Sequence, residues 1–137
     1  MGLFDGKSKE EKRVLKDSLF EPTENEKVFE IKHAKAVVRI DDHFVRIARK
    51  SNLTNTILQG LDGEKSIVLG QVTAYQLKAP GKTTGYLQIV YPGSQDTKGG
   101  VVEAVKDENT IIFLQDDIPK IKEIKDILEA AIIRNTK

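Results

Sequence analysis

Cysteine is absent from the 137 residues, which excludes disulfides, thiolate-bound zinc, iron–sulfur clusters and cysteine nucleophiles. Tryptophan is absent as well, and aromatics make up only 6% beside 39% hydrophobic and 31% charged residues. That balance belongs to an ordinary globular domain, neither disordered nor membrane-spanning. An excess of one charge sign is also missing. Lys and Arg number 22 against 21 Asp and Glu, so no global field exists to hold a polyphosphate by counterion release, and nucleic acid is not expected as a partner. No apolar run approaches the roughly 18 residues of a membrane helix. Met1–Lys12 is charged where a secretory signal would be apolar, and a cytoplasmic protein is expected. Gly2 suggests myristoylation, but Gly6 stands where that motif requires Ser or Thr, so this anchor is rejected.

Catalytic and metal-binding signatures are equally sparse. Histidine occurs twice, as His33 and His43, and a metal site would need further ligands converging from distant segments. Asp41, Asp42 and His43 are consecutive and read as a solvated turn. Gly60–Ser66 has the glycines and lysine of a phosphate-binding loop, but Glu64 sits between Gly63 and Lys65 and a strand follows. The segment therefore reads as a turn, with no anion cradle. No nucleophile elbow, zincin or EF-hand pattern occurs. No cofactor is expected, and the chain is read as non-catalytic; surface carboxylates such as Glu64 or Asp107 could serve chemistry only if a cleft gathered them.

What the chain does contain is periodicity. Ser8 and Glu11 form a capping box, predicting a helix over about 9–19 with Val14, Leu15 and Leu19 on one side. Pro22 ends it. From Val28 the spacing changes to alternation: Phe29 and Ile31, then Ala36, Val38 and Ile40, then Val45 and Ile47, each set belonging to one face of a strand. Asp41-Asp42 supplies turn chemistry for a hairpin of Ala36–Ile40 with Phe44–Ala48. Further strands are predicted over 66–69, 72–78, 85–91, 101–105 and 110–114, separated by turn signals at 61–63, 80–82, 92–94 and 107–109. Ser51–Thr56 and Gly99-Gly100 read as loops. After Asp116 the helical period returns, with Asp117 as the expected cap, Pro119 in the first turn, and Ile118, Ile121, Ile124, Leu128, Ala131 and Ile132 as one apolar stripe. Such a stripe is expected to lie on a bent sheet.

Strands followed by one terminal amphipathic helix is the order of a pleckstrin-homology-like domain. Gly60–Ile67, Val72–Lys78, Gly85–Ile89 and Val105–Phe113, leading into the final helix, resemble a bacterial and prophage family of such domains of unknown function. The resemblance covers about Phe29 to Ile133. It implies a mainly β fold: a bent barrel of about seven antiparallel strands closed by the C-terminal helix, with residues 1–26 as a helical extension and 27–137 as the domain. It also implies a binding or assembly role, and brings no catalytic residues.

If Val38, Ile40, Val45 and Ile47 face the core, then Lys35, Val37, Arg39, Phe44 and Arg46 share the opposite face of the hairpin. This face is the candidate interaction surface. Val37 and Phe44 beside arginines suit a protein contact or a homo-oligomer. The alternative is an anionic lipid headgroup held by Lys32, Lys35, Arg39 and Arg46, with Asp41 and Asp42 weakening that field. Cover by the N-terminal helix would instead remove the face from solvent. The N-terminal helix itself, with Glu10, Glu11 and Asp17 offsetting its cations, is expected to dock on protein, not on a membrane.

Overall fold

The computed structural model describes residues 8–50, 60–94 and 108–136. The chain runs as helix α1 (Lys9–Asp17), a 3-10 turn over Ser18–Phe20, strands β1 (Lys27–Ile31), β2 (Ala36–Ile40), β3 (Phe44–Lys50), β4 (Leu61–Val68), β5 (Ala74–Lys78), β6 (Gly85–Val90) and β7 (Thr110–Phe113), then helix α2 (Ile118–Asn135). Strands β1-β2-β3-β4 form one antiparallel sheet and β5-β6-β7 another. Among the described residues no strand pairing joins the two sheets and no closed barrel forms; one helix precedes the strands and another follows them. The predicted strand over 101–105 and the loops at 51–56 and 99–100 lie outside the described residues.

Alternation accounts for the core. Phe29, Ile31, Ala36, Val38, Ile40, Val45, Ile47 and Ile67 from the first sheet meet Leu87, Ile89, Ile111 and Phe113 from the second. Ile121, Ile124, Leu128 and Ala131 of α2 complete the same cluster. Full burial of each large side chain contributes about 1.5–3 kcal/mol, so the isoleucine seam holds α2 against both sheets. Polar ties fix its two ends: Lys120 Nζ donates to the Glu30 carbonyl at 2.8 Å, and Asn135 Nδ2 donates to the carbonyls of Leu69 and Val72 at 3.0 Å each.

The Asp41 turn forms as the sequence predicts. Its carboxylate Oδ1 accepts from the amides of His43 and Phe44 at 2.8 Å, the local bonding that makes Asp a turn residue. Three expectations fail. Ile118 stands 43% exposed and is not part of the seam. Asp117 makes no side-chain capping bond to α2; it is drawn to Lys120, 3.6 Å away. Leu61-Asp62-Gly63 is the start of β4 and not a turn, with Gly63 opposite Arg49 and Leu61 opposite Lys50. Pairing with β3 supplies partners to a segment whose local preference favours a turn, and strand formation follows context more than propensity.

Candidate functional site

Of the five residues of the expected surface, Val37, Arg39, Phe44 and Arg46 share the outer face of the first sheet and Lys35 lies in the turn before β2, but the face is largely covered. Val37 is completely buried, packed with Phe20, Ala48 and Leu61 in a second, smaller apolar cluster. Arg39 is 2% exposed. Phe44 and Arg46 are half-buried, and only Lys35 projects into solvent. The cover comes from the chain after α1: Phe20 drops onto Val37, and the Glu21 carbonyl accepts a hydrogen bond from Arg39. The expectation of an open Val37/Arg39 surface is therefore corrected. Alternation assigns these residues to one face, yet says nothing of what another segment lays on it.

Arg39 and Arg46 stand directly opposite each other in the β2–β3 register, an arrangement that repels unless carboxylates intervene. Three do. Arg39 Nε donates to Glu26 Oε1 and Arg39 Nη1 to Glu64 Oε2, both at 2.8 Å. Arg46 Nη1 donates to Asp41 Oδ2 at 2.9 Å, and its Nε lies 3.8 Å from Glu64. Arg46 also stacks on the Phe44 ring, 4.5 Å from its centroid. Lys50, on the same face, pairs with Glu30 at 3.3 Å. Burial opposes ionisation of Asp41, but hydrogen bonds from Thr23 and the amides of His43 and Phe44, together with Arg46, outweigh it and hold its carboxyl well below the usual range. Glu26 and Glu64 are the partners that sequence reading missed. They lie 13 and 25 residues from Arg39, and only the strand register brings them to it.

Helix α1 contrasts with this covered face. Ser8 caps it, its Oγ accepting from the Glu11 amide at 3.1 Å, and Lys16 pairs with Asp62 on β4. The Gly60 amide donates to Asp17 at 3.3 Å. These polar ties anchor the helix, yet it buries none of its own residues. Val14 is 57% exposed, Leu15 44% and Leu19 75%.

A cavity of about 350 Å³ opens elsewhere, at one end of the seam between the sheets, lined by His33, Ala34, Arg49, Thr84, Thr110 and Ile112. Arg49 reaches across from β3, its Nη2 donating to the Thr110 carbonyl on β7 at 2.8 Å. Among the described residues, no group of three or more His, Asp or Glu side chains is arranged to hold a metal ion. No described helix is long and apolar enough to cross a membrane.

No curated protein and no solved structure matches the chain. A family of domains of unknown function, DUF4429, matches residues 38–128, from the core of β2 to the middle of α2 and more than half of the chain. The matched span holds the second sheet, the arginine network's strands and most of the isoleucine seam, and on it the chain belongs to the DUF4429 family.

Proposed function

We propose that the chain is a cytoplasmic, non-catalytic scaffold of the pleckstrin-homology-like kind that works by self-association through α1. The observation that carries this reading is the apolar side of α1 and the turn after it, where Val14, Leu15 and Leu19 stand exposed among the described residues. The neighbouring Phe20, by contrast, is 9% exposed. An exposed apolar patch of this kind, rimmed by charge, marks a contact surface. The occupant that fits is a second copy. Glu10 and Glu11 occupy the first turn of α1, and Lys12, Arg13 and Lys16 follow toward its C-terminal end. Two such helices packed antiparallel about a two-fold axis set Glu10 and Glu11 of each toward Lys16 of the other.

Sheet order and the closing helix support the pleckstrin-homology-like part of the reading: strands precede a single amphipathic helix whose seam seals both sheets. Lipid recognition through the first hairpin has less behind it, because Arg39 and Arg46 are engaged by carboxylates and only Lys32 and Lys35 of that set remain exposed. Sedimentation over a wide concentration range tests the proposal. The wild type is expected to form a dimer, and Leu15→Asp with Leu19→Asp to give a monomer of unchanged circular dichroism. A wild type that stays monomeric at the highest concentration, or a dimer that survives the double substitution, contradicts it.

A further inference from the structure

We propose that the cavity at the seam between the two sheets binds the oxyanion group, carboxylate or phosphate, of a small molecule. The cations of the first sheet differ in their partners. Arg39, Arg46 and Lys50 each have a carboxylate within ion-pair distance. Arg49 has none among the described residues: its Nη2 is spent on the Thr110 carbonyl, and its Nη1 is buried without a hydrogen-bond partner. Burial pulls the Arg49 pKa down, with Glu108 opposing that effect as a nearby charge. Glu108 lines a smaller cavity of about 130 Å³ on the other flank of Arg49, next to Lys65 and Glu64.

The second observation is independent of charge. Thr110 is 1% exposed, and its Oγ1 is also buried without a partner. Arg49 and Thr110, which come from different sheets and each carry a buried polar atom without a partner, thus line one cavity. Leaving either unsatisfied is costly, and the cost is greater for a charged group. An oxyanion meets both needs: one oxygen accepts from the guanidinium and another from the hydroxyl, and the added negative charge offsets that of Arg49. Exposed His33 stands at the rim, while Ala34 and Ile112 supply apolar wall. The volume is at the lower end of small-molecule pockets, roughly 300–1,000 Å³, which sets the ligand class as a small acid or phosphate ester. A bridging water could satisfy the hydroxyl but would bring no negative charge to the guanidinium.

None of these residues belongs to α1, so the site does not depend on self-association. The test is a titration of the full, isotope-labelled chain by nuclear magnetic resonance, with inorganic phosphate in one arm, butyrate in a second and chloride as the control. The expected result is a saturable shift of the Arg49 side-chain Nε–H and the Thr110 amide with phosphate or butyrate. The arm that saturates at lower concentration identifies the oxyanion. Thr110→Val keeps the shape and removes the hydroxyl; it is expected to weaken binding by about ten-fold, as is Arg49→Gln, in keeping with the loss of a charge-assisted hydrogen bond. The proposal is overturned if neither anion gives a saturable shift, if chloride reproduces it, or if folded Thr110→Val binds as tightly as the wild type.

Discussion

The two faces of the first sheet are both buried, but by opposite means. On the inner face, Phe29, Ile31, Val38, Ile40, Val45 and Ile47 pack against the second sheet and α2 with no polar partner needed. On the outer face, a four-residue apolar cluster of Phe20, Val37, Ala48 and Leu61 lies beside two facing arginines held by Glu26, Glu64 and Asp41. The inner face is held by non-directional burial, and it fixes which side of each strand faces inward. The outer face requires each guanidinium to meet its carboxylate, so it specifies the strand register and the path of residues 20–26. Hydrophobic burial holds the sheets together, and the ion network fixes how the N-terminal segment lies on one of them.

That contrast is sharpest under mutation. Arg39→Ala leaves Glu26 and Glu64 facing each other in a covered site and is expected to destabilise by about 3–5 kcal/mol, as removal of one buried ionic partner does. Leu128→Ala on the inner side opens a cavity and is expected to cost about 2–5 kcal/mol. Replacing Arg39 by Met together with Glu26→Gln and Glu64→Gln should recover much of the first loss, since neutralising all partners removes the uncompensated charge; no compensating change exists for Leu128. Denaturant titration of the variants checks both. If Arg39→Ala costs no more than an exposed ion pair, the network is solvated and the comparison fails.

Acid separates the faces more gently. The folded pKa of Asp41 is depressed, so its contribution to stability is complete above the unfolded value, about 3.9, and is lost as the pH falls below that toward the folded value. Asp41→Asn is expected to lower stability at neutral pH and to flatten the loss below about pH 4, measured by thermal unfolding across the acid range. An unchanged acid slope would show that Asp41 gains nothing from Thr23, Arg46 and the turn amides. The apolar side chains of the inner face do not titrate and contribute no such slope.

Periodic elements were the legible part of the sequence. The β2–β3 hairpin follows from alternation on either side of Asp41-Asp42, and α2 from isoleucines spaced to share one side. The β1–β2 turn gives little warning: Lys32-His33-Ala34-Lys35 contains no Gly, Pro or Asn, and Lys35 takes a positive φ of 50°. The start of β4 was hidden in the opposite way, because Asp62-Gly63 has turn chemistry that pairing with β3 overrides. As for the site, the residues of the outer face were assigned to the right side but to the wrong environment. Arginine is seldom fully buried, and the carboxylates that permit it for Arg39 come from other segments. The Arg49–Thr110 contact is likewise invisible beforehand, since the two residues stand 61 positions apart.

The absence of native cysteine allows a direct measurement of whether the outer face is covered. Val37→Cys and Leu19→Cys, introduced singly, place a thiol on each side of the proposed boundary. The thiol in the Leu19→Cys variant is expected to react at the rate of an unprotected thiol, and that in Val37→Cys only as fast as the protein opens. Equal, rapid labelling at both positions would contradict the account.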